Sequence, residues 1–178
     1  MSIAQDFLSE FEIQARNTRK FLERIPEDKL TWKPNEKSMT FGQLGFHIGF
    51  VPGGIAQLVV ENPAHAPENP FVFPQPASLA EILKAHDSSV AAVRSLLPKF
   101  NDAAMQETWI LMGGSQHLVE VPRMVFVRDI LLSHWYQHRG QLCVYLRMHN
   151  IAVPATWGPS ADEAPNFVMR AELATAAA

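Results

Sequence analysis

Four stretches of this chain carry apolar residues at spacings of three and four, and a proline closes, interrupts or opens each of them. The first runs from Ser2 to Ile25 with Ile3, Phe7, Leu8, Phe11, Ala15, Leu22 and Ile25 on one stripe, and Pro26 stops it. The second begins at Thr40, where Thr40-x-x-Gln43 forms a capping box, and continues through Phe41, Leu44, Ile48, Val51, Ile55 and Leu58. Pro52 lies inside it and predicts a kink near Ile48, while Gly45, Gly49 and Gly53 share a face that lets another backbone approach closely. The third follows a second capping box, Ser78-x-x-Glu81, with its stripe at Leu79, Ile82, Leu83, Val90, Val93 and Leu97, and Pro98 ends it. The fourth, from Pro122 to Met148, spans roughly 40 Å at about 1.5 Å per residue. It carries Met124, Val127, Leu131, Leu142, Tyr145 and Met148 on one stripe and Leu132, Trp135, Cys143 and Leu146 on another.

Between these helices the connector Pro26–Met39 is polar and extended, anchored by Leu30 and Trp32. The prolines at 63, 67, 70, 74 and 76 make Asn62–Pro76 a long crossover loop and not an element. Lys99–Val121 reads as irregular or hairpin-like around Gly113-Gly114, with short strands at Thr108–Met112 and His117–Val121. Residues after Asn150 look like a tail ending in an Ala-rich segment. The expected architecture is all-α: a four-helix bundle with a long crossover loop and a short irregular or hairpin segment before the last helix. It fills one domain over 1–163, with a tail over 164–178. No regular alternation of short β-branched runs supports an α/β fold.

A chain of 178 residues, 47% apolar and 19% charged, has enough apolar surface to bury a core and is not a disordered sequence. Its formal net charge of −3, without like-charge runs, argues against nucleic acid or an anionic membrane as partner. One cysteine, Cys143, excludes an internal disulfide and a thiolate-rich metal site. Asp6, Glu10 and Glu12 interrupt any apolar leader, so the expected compartment is a reducing cytoplasm. Thr40–Val60 lacks Asp, Glu, Lys and Arg, but its glycines, Pro52, Gln43, His47 and Gln57 fit a buried helix better than a membrane span.

His134 and His138 are the most informative residues. They lie four apart on the longest helix, so both rings point the same way, and they continue the stripe Val127, Leu131, Leu142, Tyr145. Two imidazoles facing a bundle interior must be hydrogen-bonded or metal-bound, because an unpaired buried polar group costs roughly 1–3 kcal/mol. On spacing alone, two core histidines satisfied by carbonyls or waters are the simpler reading. His47 changes the balance: it lies beside the Leu44–Ile48–Val51 stripe, just before Pro52, in the other helix that avoids charge. Three neutral imidazoles at one end of a bundle make a facial site with open positions, suited to one divalent ion, Zn²⁺, Ni²⁺, Fe²⁺ or Mn²⁺.

The other histidines point less clearly. His86 on the third stripe either lines the same pocket or is a satisfied core histidine; His65 and His117 sit in loops, and His149 closes the last helix, where a cation suits the dipole. Arg139 and Gln141 follow the His pair and are placed to orient ligands or bind an anion, but the simpler reading has Arg139 solvent-facing or interfacial and Gln141 packed in its helix, with Gln43 a candidate partner for the His47 ring. Absence of a Glu-x-x-His pair excludes a di-iron carboxylate bundle. A phosphate-binding glycine loop and a Gly-x-Ser-x-Gly elbow are also absent, and Gly113-Gly114-Ser115-Gln116-His117 is a turn.

Three segments resemble the DinB-like (damage-inducible) superfamily of metal-binding four-helix bundles, also described with the YfiT-like metal hydrolases. Ile25-Pro26-Glu27-Asp28-Lys29-Leu30-Thr31-Trp32-Lys33-Pro34 is similar to that family's first connector. Ser38-Met39-Thr40-Phe41-Gly42-Gln43-Leu44-Gly45-Phe46-His47-Ile48 is similar to the start of its second helix. His134-x-x-x-His138-Arg139-Gly140-Gln141-Leu142, followed by Gly158-Pro159-Ser160-Ala161-Asp162-Glu163, resembles its last-helix signature. The resemblance implies an up-down-down-up bundle, a metal on His47, His134 and His138, and a homodimer that would cover the Leu132–Trp135–Cys143–Leu146 stripe. The alternative for that stripe is packing against the chain's own loops. It also implies a small-molecule substrate, with thiol transfer or hydrolase-type chemistry, since characterised members use low-molecular-weight thiols. No catalytic residue beyond the metal ligands transfers. The alternative function is a non-catalytic metal or small-ligand binding stress protein, and a third is a bundle whose histidines bond only to one another.

Overall fold

The computed structural model describes residues 2–68 and 72–164. Helix α1 (Ile3–Leu22) starts where the Ser2 hydroxyl accepts the Gln5 N–H, and it ends three residues short of Ile25, which stays buried in the connector. Helix α2 (Phe41–Leu58) begins with the expected reciprocal box: Thr40 Oγ1 accepts the Gln43 N–H at 3.1 Å and Gln43 Oε1 accepts the Thr40 N–H at 3.0 Å. Strand β1 (Ala64–His65) precedes helix α3 (Leu79–Leu96). The second box is half formed, because Ser78 accepts the Glu81 N–H while the Glu81 carboxylate takes the N–H of Ala77 instead of Ser78. Then come α4 (Asp102–Gln106), β2 (Thr108–Gly113), β3 (Gln116–Pro122), α5 (Arg123–Phe126), a π-helical turn (Val127–Ser133) and α6 (His134–Met148).

The glycine face of α2 packs on α3 as the spacing predicts. A Cβ on Gly49 would lie 2.9 Å from the Ile82 carbonyl oxygen, and one on Gly53 would lie 2.7 Å from Ser89 Cα. Both obstacles are backbone, so the helices must separate to admit a methyl group. Gly53→Ala is therefore expected to destabilise the fold by about 1–3 kcal/mol despite alanine's better helix propensity. Chemical denaturation measures this, and an unchanged midpoint would show that the pair separates without cost.

Pro52 has no N–H to give the Ile48 carbonyl. Helix α2 runs on through it because the Trp135 indole N–H donates to that carbonyl at 2.8 Å. Ser89 serves the neighbouring groups, accepting from the Gly53 N–H and donating to the Phe50 carbonyl. The helix that holds His47 is thus tied at its weak point to the residue after His134.

The last helix runs unbroken from Arg123 to Met148 but is not α throughout. Its π turn widens the repeat by one residue immediately before His134, which resets the phase of everything after it. Leu131 and Leu132 both turn inward as a result, and Trp135 stacks on Phe11 of α1 with ring centroids 5.2 Å apart. Leu132, Trp135 and Leu146 of the stripe expected to meet a partner subunit are buried in the chain's own core. Met148, expected on the inner stripe, is exposed.

The all-α expectation needs correction, since the chain is helix-rich with a three-stranded sheet in the order β1-β2-β3. The hairpin β2–β3 appears where the sequence places it, with Thr108 opposite Pro122, Gly113 opposite Gln116, and Gly114 at positive φ in the turn. Strand β1 lies in the segment read as pure loop. Two residues pairing parallel to Leu111 and Met112 leave no periodicity to detect. The Asn62 side chain donates to the Thr108 carbonyl and accepts the Ile110 N–H, holding this segment to β2. Helix α4, one turn capped by Asn101, was also not foreseen.

Residues 151–164 are not a free tail. Ser160 Oγ accepts the N–H groups of Asp162 and Glu163 and donates to the Val153 carbonyl. Asp162 then pairs with Arg147, and Glu163 with Arg24. The expected tail over 164–178 lies, from residue 165 on, outside the described residues. No helix among those described is long and apolar enough to cross a membrane.

Candidate metal centre

His47 stands on the second turn of α2, and His134 and His138 open α6. Their Nε2 atoms converge, His47 to His134 at 3.4 Å and His134 to His138 at 2.6 Å. One ligand atom from each lies within 4.8 Å of the others, and no carboxylate or thiol joins this group among the described residues.

The tautomer of one ring follows from its neighbour. His138 Nδ1 lies 2.8 Å from Gln141 Oε1, an acceptor, so Nδ1 carries the proton and Nε2 turns a lone pair toward the other two rings. Lone pairs crowded this closely repel unless a proton or a cation sits between them. Two nitrogens in a tetrahedral zinc shell, each about 2.0–2.1 Å from the ion, lie roughly 3.4 Å apart, which the His47–His134 separation matches and the His134–His138 separation of 2.6 Å falls short of. Burial, followed by the neighbouring His138 and His134, pushes His47 down to about 4. Burial also lowers His134 and His138, with His138 adding to the first and the Gln141 bond opposing in the second. All three are neutral near pH 7, the form a cation needs. The donor set fits one divalent ion.

The surroundings decide between the sequence readings and in places differ from them. Gln43 does not touch His47: its oxygen serves the Thr40 cap and its nitrogen donates to the Phe73 carbonyl, which brings the Phe73 ring edge-on to His47 at 5.2 Å. Gln141 is the residue that orients a ligand ring, three positions after His138 on the same face. Arg139 is 9% exposed and neither solvent-facing nor interfacial; it donates to Gln14 Oε1 and Thr18 Oγ1 and ties α6 to α1. His86 is 3% exposed beside α2, outside the pocket, and neither ring nitrogen has a partner among the described residues. It is not a pocket residue, and the Asp87 carboxylate lies 3.6 Å from its Nδ1. His65 and His117 lie in strands, and His149 packs edge-on against Trp32 at 4.3 Å. Cys143 is half-buried, with its thiol pushed up by burial, as a small apolar residue would sit.

A cavity of about 930 Å³ opens beside the histidines, with His47 and His134 in its wall and Phe46, Phe50, Val51 and Phe73 among its lining. The aromatics at 46 and 50 flank His47 in the sequence at helical spacing, a signal that reads equally well as core. Trp135 links both ligand-bearing helices through the Ile48 carbonyl. Trp135→Phe keeps the stacking on Phe11 but strands a buried carbonyl, an expected loss of about 1–3 kcal/mol. Metal affinity should fall with it, since His47 and His134 each adjoin one end of this bond. Weakened stability with unchanged affinity would separate the bond from the site.

Known proteins resemble this chain in sequence and in fold. The model of the DinB superfamily matches residues 10–142. An uncharacterised protein of Bacillus subtilis strain 168, YrdA, is 27% identical over 170 residues, covering 93% of this chain and 94% of its own length. Crystal structures with a similar fold include a DinB-like protein from Bacillus cereus ATCC 10987, with a TM-score of 0.68 at 20% identity over 85% of this chain and 96% of that one. A DinB-like protein from Bacillus subtilis, YjoA, gives a TM-score of 0.62 at 21% identity over 84% and 95%.

Proposed function

We propose that this chain, which belongs to the DinB superfamily, holds one divalent cation on His47, His134 and His138 and acts there on a small-molecule substrate. The observation that carries the reading is the convergence of three Nε2 atoms from two helices, with His138 fixed in the ligating tautomer by Gln141. When bound, such an ion supplies a Lewis acid with open positions, able to polarise a substrate atom or to favour a thiolate over a thiol.

The chain's own residues prepare the site. Burial keeps the three rings unprotonated, and Gln141 sets the direction of one lone pair. The Phe73 edge and the apolar cavity wall cover part of the His47 ring. We take the four long helices as an up-down-down-up bundle and the reaction as thiol transfer or hydrolysis, with a low-molecular-weight thiol as the favoured co-substrate.

Untagged protein, with its metal quantified, is incubated with a panel of low-molecular-weight thiols and electrophilic acceptors, before and after chelation. The reading expects turnover that chelation removes and metal restores. Stoichiometric metal with no turnover of any pair would instead make the chain a non-catalytic binding module.

A further inference from the structure

The cavity beside the histidines is long rather than round. Gln43, His47, Phe50, Gly54 and Leu58 line it at about one residue per helical turn, so it follows one face of α2 for roughly 22 Å at about 1.5 Å per residue. Val72, Phe73 and Ile130 lie on other sides, and His134 shares the end that holds His47. Beyond Leu58 the lining turns polar at Glu61 and His65. No lysine or arginine lines it among the described residues, so the wall along α2 offers no fixed positive charge to a phosphate or carboxylate on the ligand's chain. Phe46 and Phe50 stack with centroids 6.2 Å apart along the wall, and Phe50 is 53% exposed, an aromatic face left for a ligand to cover.

We infer that this groove takes the elongated, uncharged apolar chain, alkyl or aryl-alkyl, of a substrate whose ligating head reaches the three histidines. The inference rests on the metal reading above for the position of the head, whereas the groove's preference for a chain rests on its lining. The head lies near one end of the groove, so a chain extending from it runs along α2 past Phe50 and Gly54 toward Leu58. Affinity must then grow with chain length until the groove is filled.

Straight-chain primary alcohols from butanol to decanol, and hydroxamic acids of the same chain lengths, are titrated calorimetrically into chelator-stripped and metal-loaded protein. Both series are expected to tighten by about fourfold per added methylene. The hydroxamates should gain further only in the metal-loaded protein. Phe50→Ala, at an exposed position, should flatten the climb. Gly54→Leu, whose Cβ has the Phe50 side-chain ring as its nearest neighbour at 3.1 Å, should stop it at a shorter chain. Affinity independent of chain length, or a climb unchanged in both variants, overturns the inference. A length dependence without any metal-specific gain for hydroxamates upholds the groove and counts against the metal reading. A head effect without length dependence does the reverse.

Discussion

Alanine in place of His134 is expected to take the metal content of untagged protein from about one equivalent per chain to none. The His134 Nε2 lies 3.4 Å from that of His47 and 2.6 Å from that of His138, so its loss leaves two donors where the site offers three. The comparison that gives this result meaning is Gln141→Leu. That change removes no ligand, only the acceptor that keeps the His138 proton on Nδ1. Outer partners of this kind are worth about 10–100-fold in metal affinity, so the Gln141 variant should still bind, but more weakly by that factor. Elemental analysis reads the first variant and competition with a chelator the second. Full occupancy in His134→Ala would mean that the ligands are wrongly assigned. Unchanged affinity in Gln141→Leu would mean that the ring is oriented by something else.

The second large effect concerns His86. Burial pushes its imidazole below the usual 6.5, outweighing Asp87, whose carboxylate lies 3.6 Å away and pulls upward, while the charge of Arg19 adds to the lowering. Between that lowered value and 6.5 the unfolded chain binds a proton that the folded chain refuses. Stability from this group is therefore complete above about pH 6.5 and falls on acidification, by up to about 1.4 kcal/mol per pH unit. His86→Leu removes the titration and also a buried imidazole whose Nδ1 comes no nearer than 3.6 Å to the Asp87 carboxylate, so it should stabilise the metal-free protein at pH 7 by about 1–3 kcal/mol. Denaturation of both proteins between pH 7 and pH 5 should show a shallower slope in the variant. A destabilised variant with the original slope would mean that the imidazole is satisfied within the fold.

What could be read from the residues follows from how far each signal reaches. Proline, glycine and cap positions act over one or two turns. Accordingly α2 and α3 begin at Thr40 and Ser78, the glycines face α3, and the hairpin turns at Gly114. The three-histidine cluster was legible because four-residue spacing fixes two rings on one face and the third lies on the helix that avoids charge. Features that depend on a distant partner were hidden. The π turn at Val127–Ser133 leaves the apolar residues at ordinary spacings, so the stripe containing Leu132 and Trp135 looked like surface until the phase shift turned it toward Phe11. Strand β1 exists only because Leu111 and Met112 lie beside it. Arg139 looks like a surface charge until Gln14 and Thr18 come from the far end of the sequence to receive it. Gln43 and Gln141 are equally placed to reach a ligand ring, and the Phe73 carbonyl, from a proline-rich loop, decides between them.

The central claim is that imidazoles from α2 and α6 grip a single ion. Crystals of untagged protein, measured at the absorption edge of the metal that elemental analysis identifies, test it directly. The account predicts one anomalous peak within about 2.0–2.2 Å of the Nε2 atoms of His47, His134 and His138. A peak held by other residues, or rings turned away from a common centre with Gln141 no longer against His138, would contradict it.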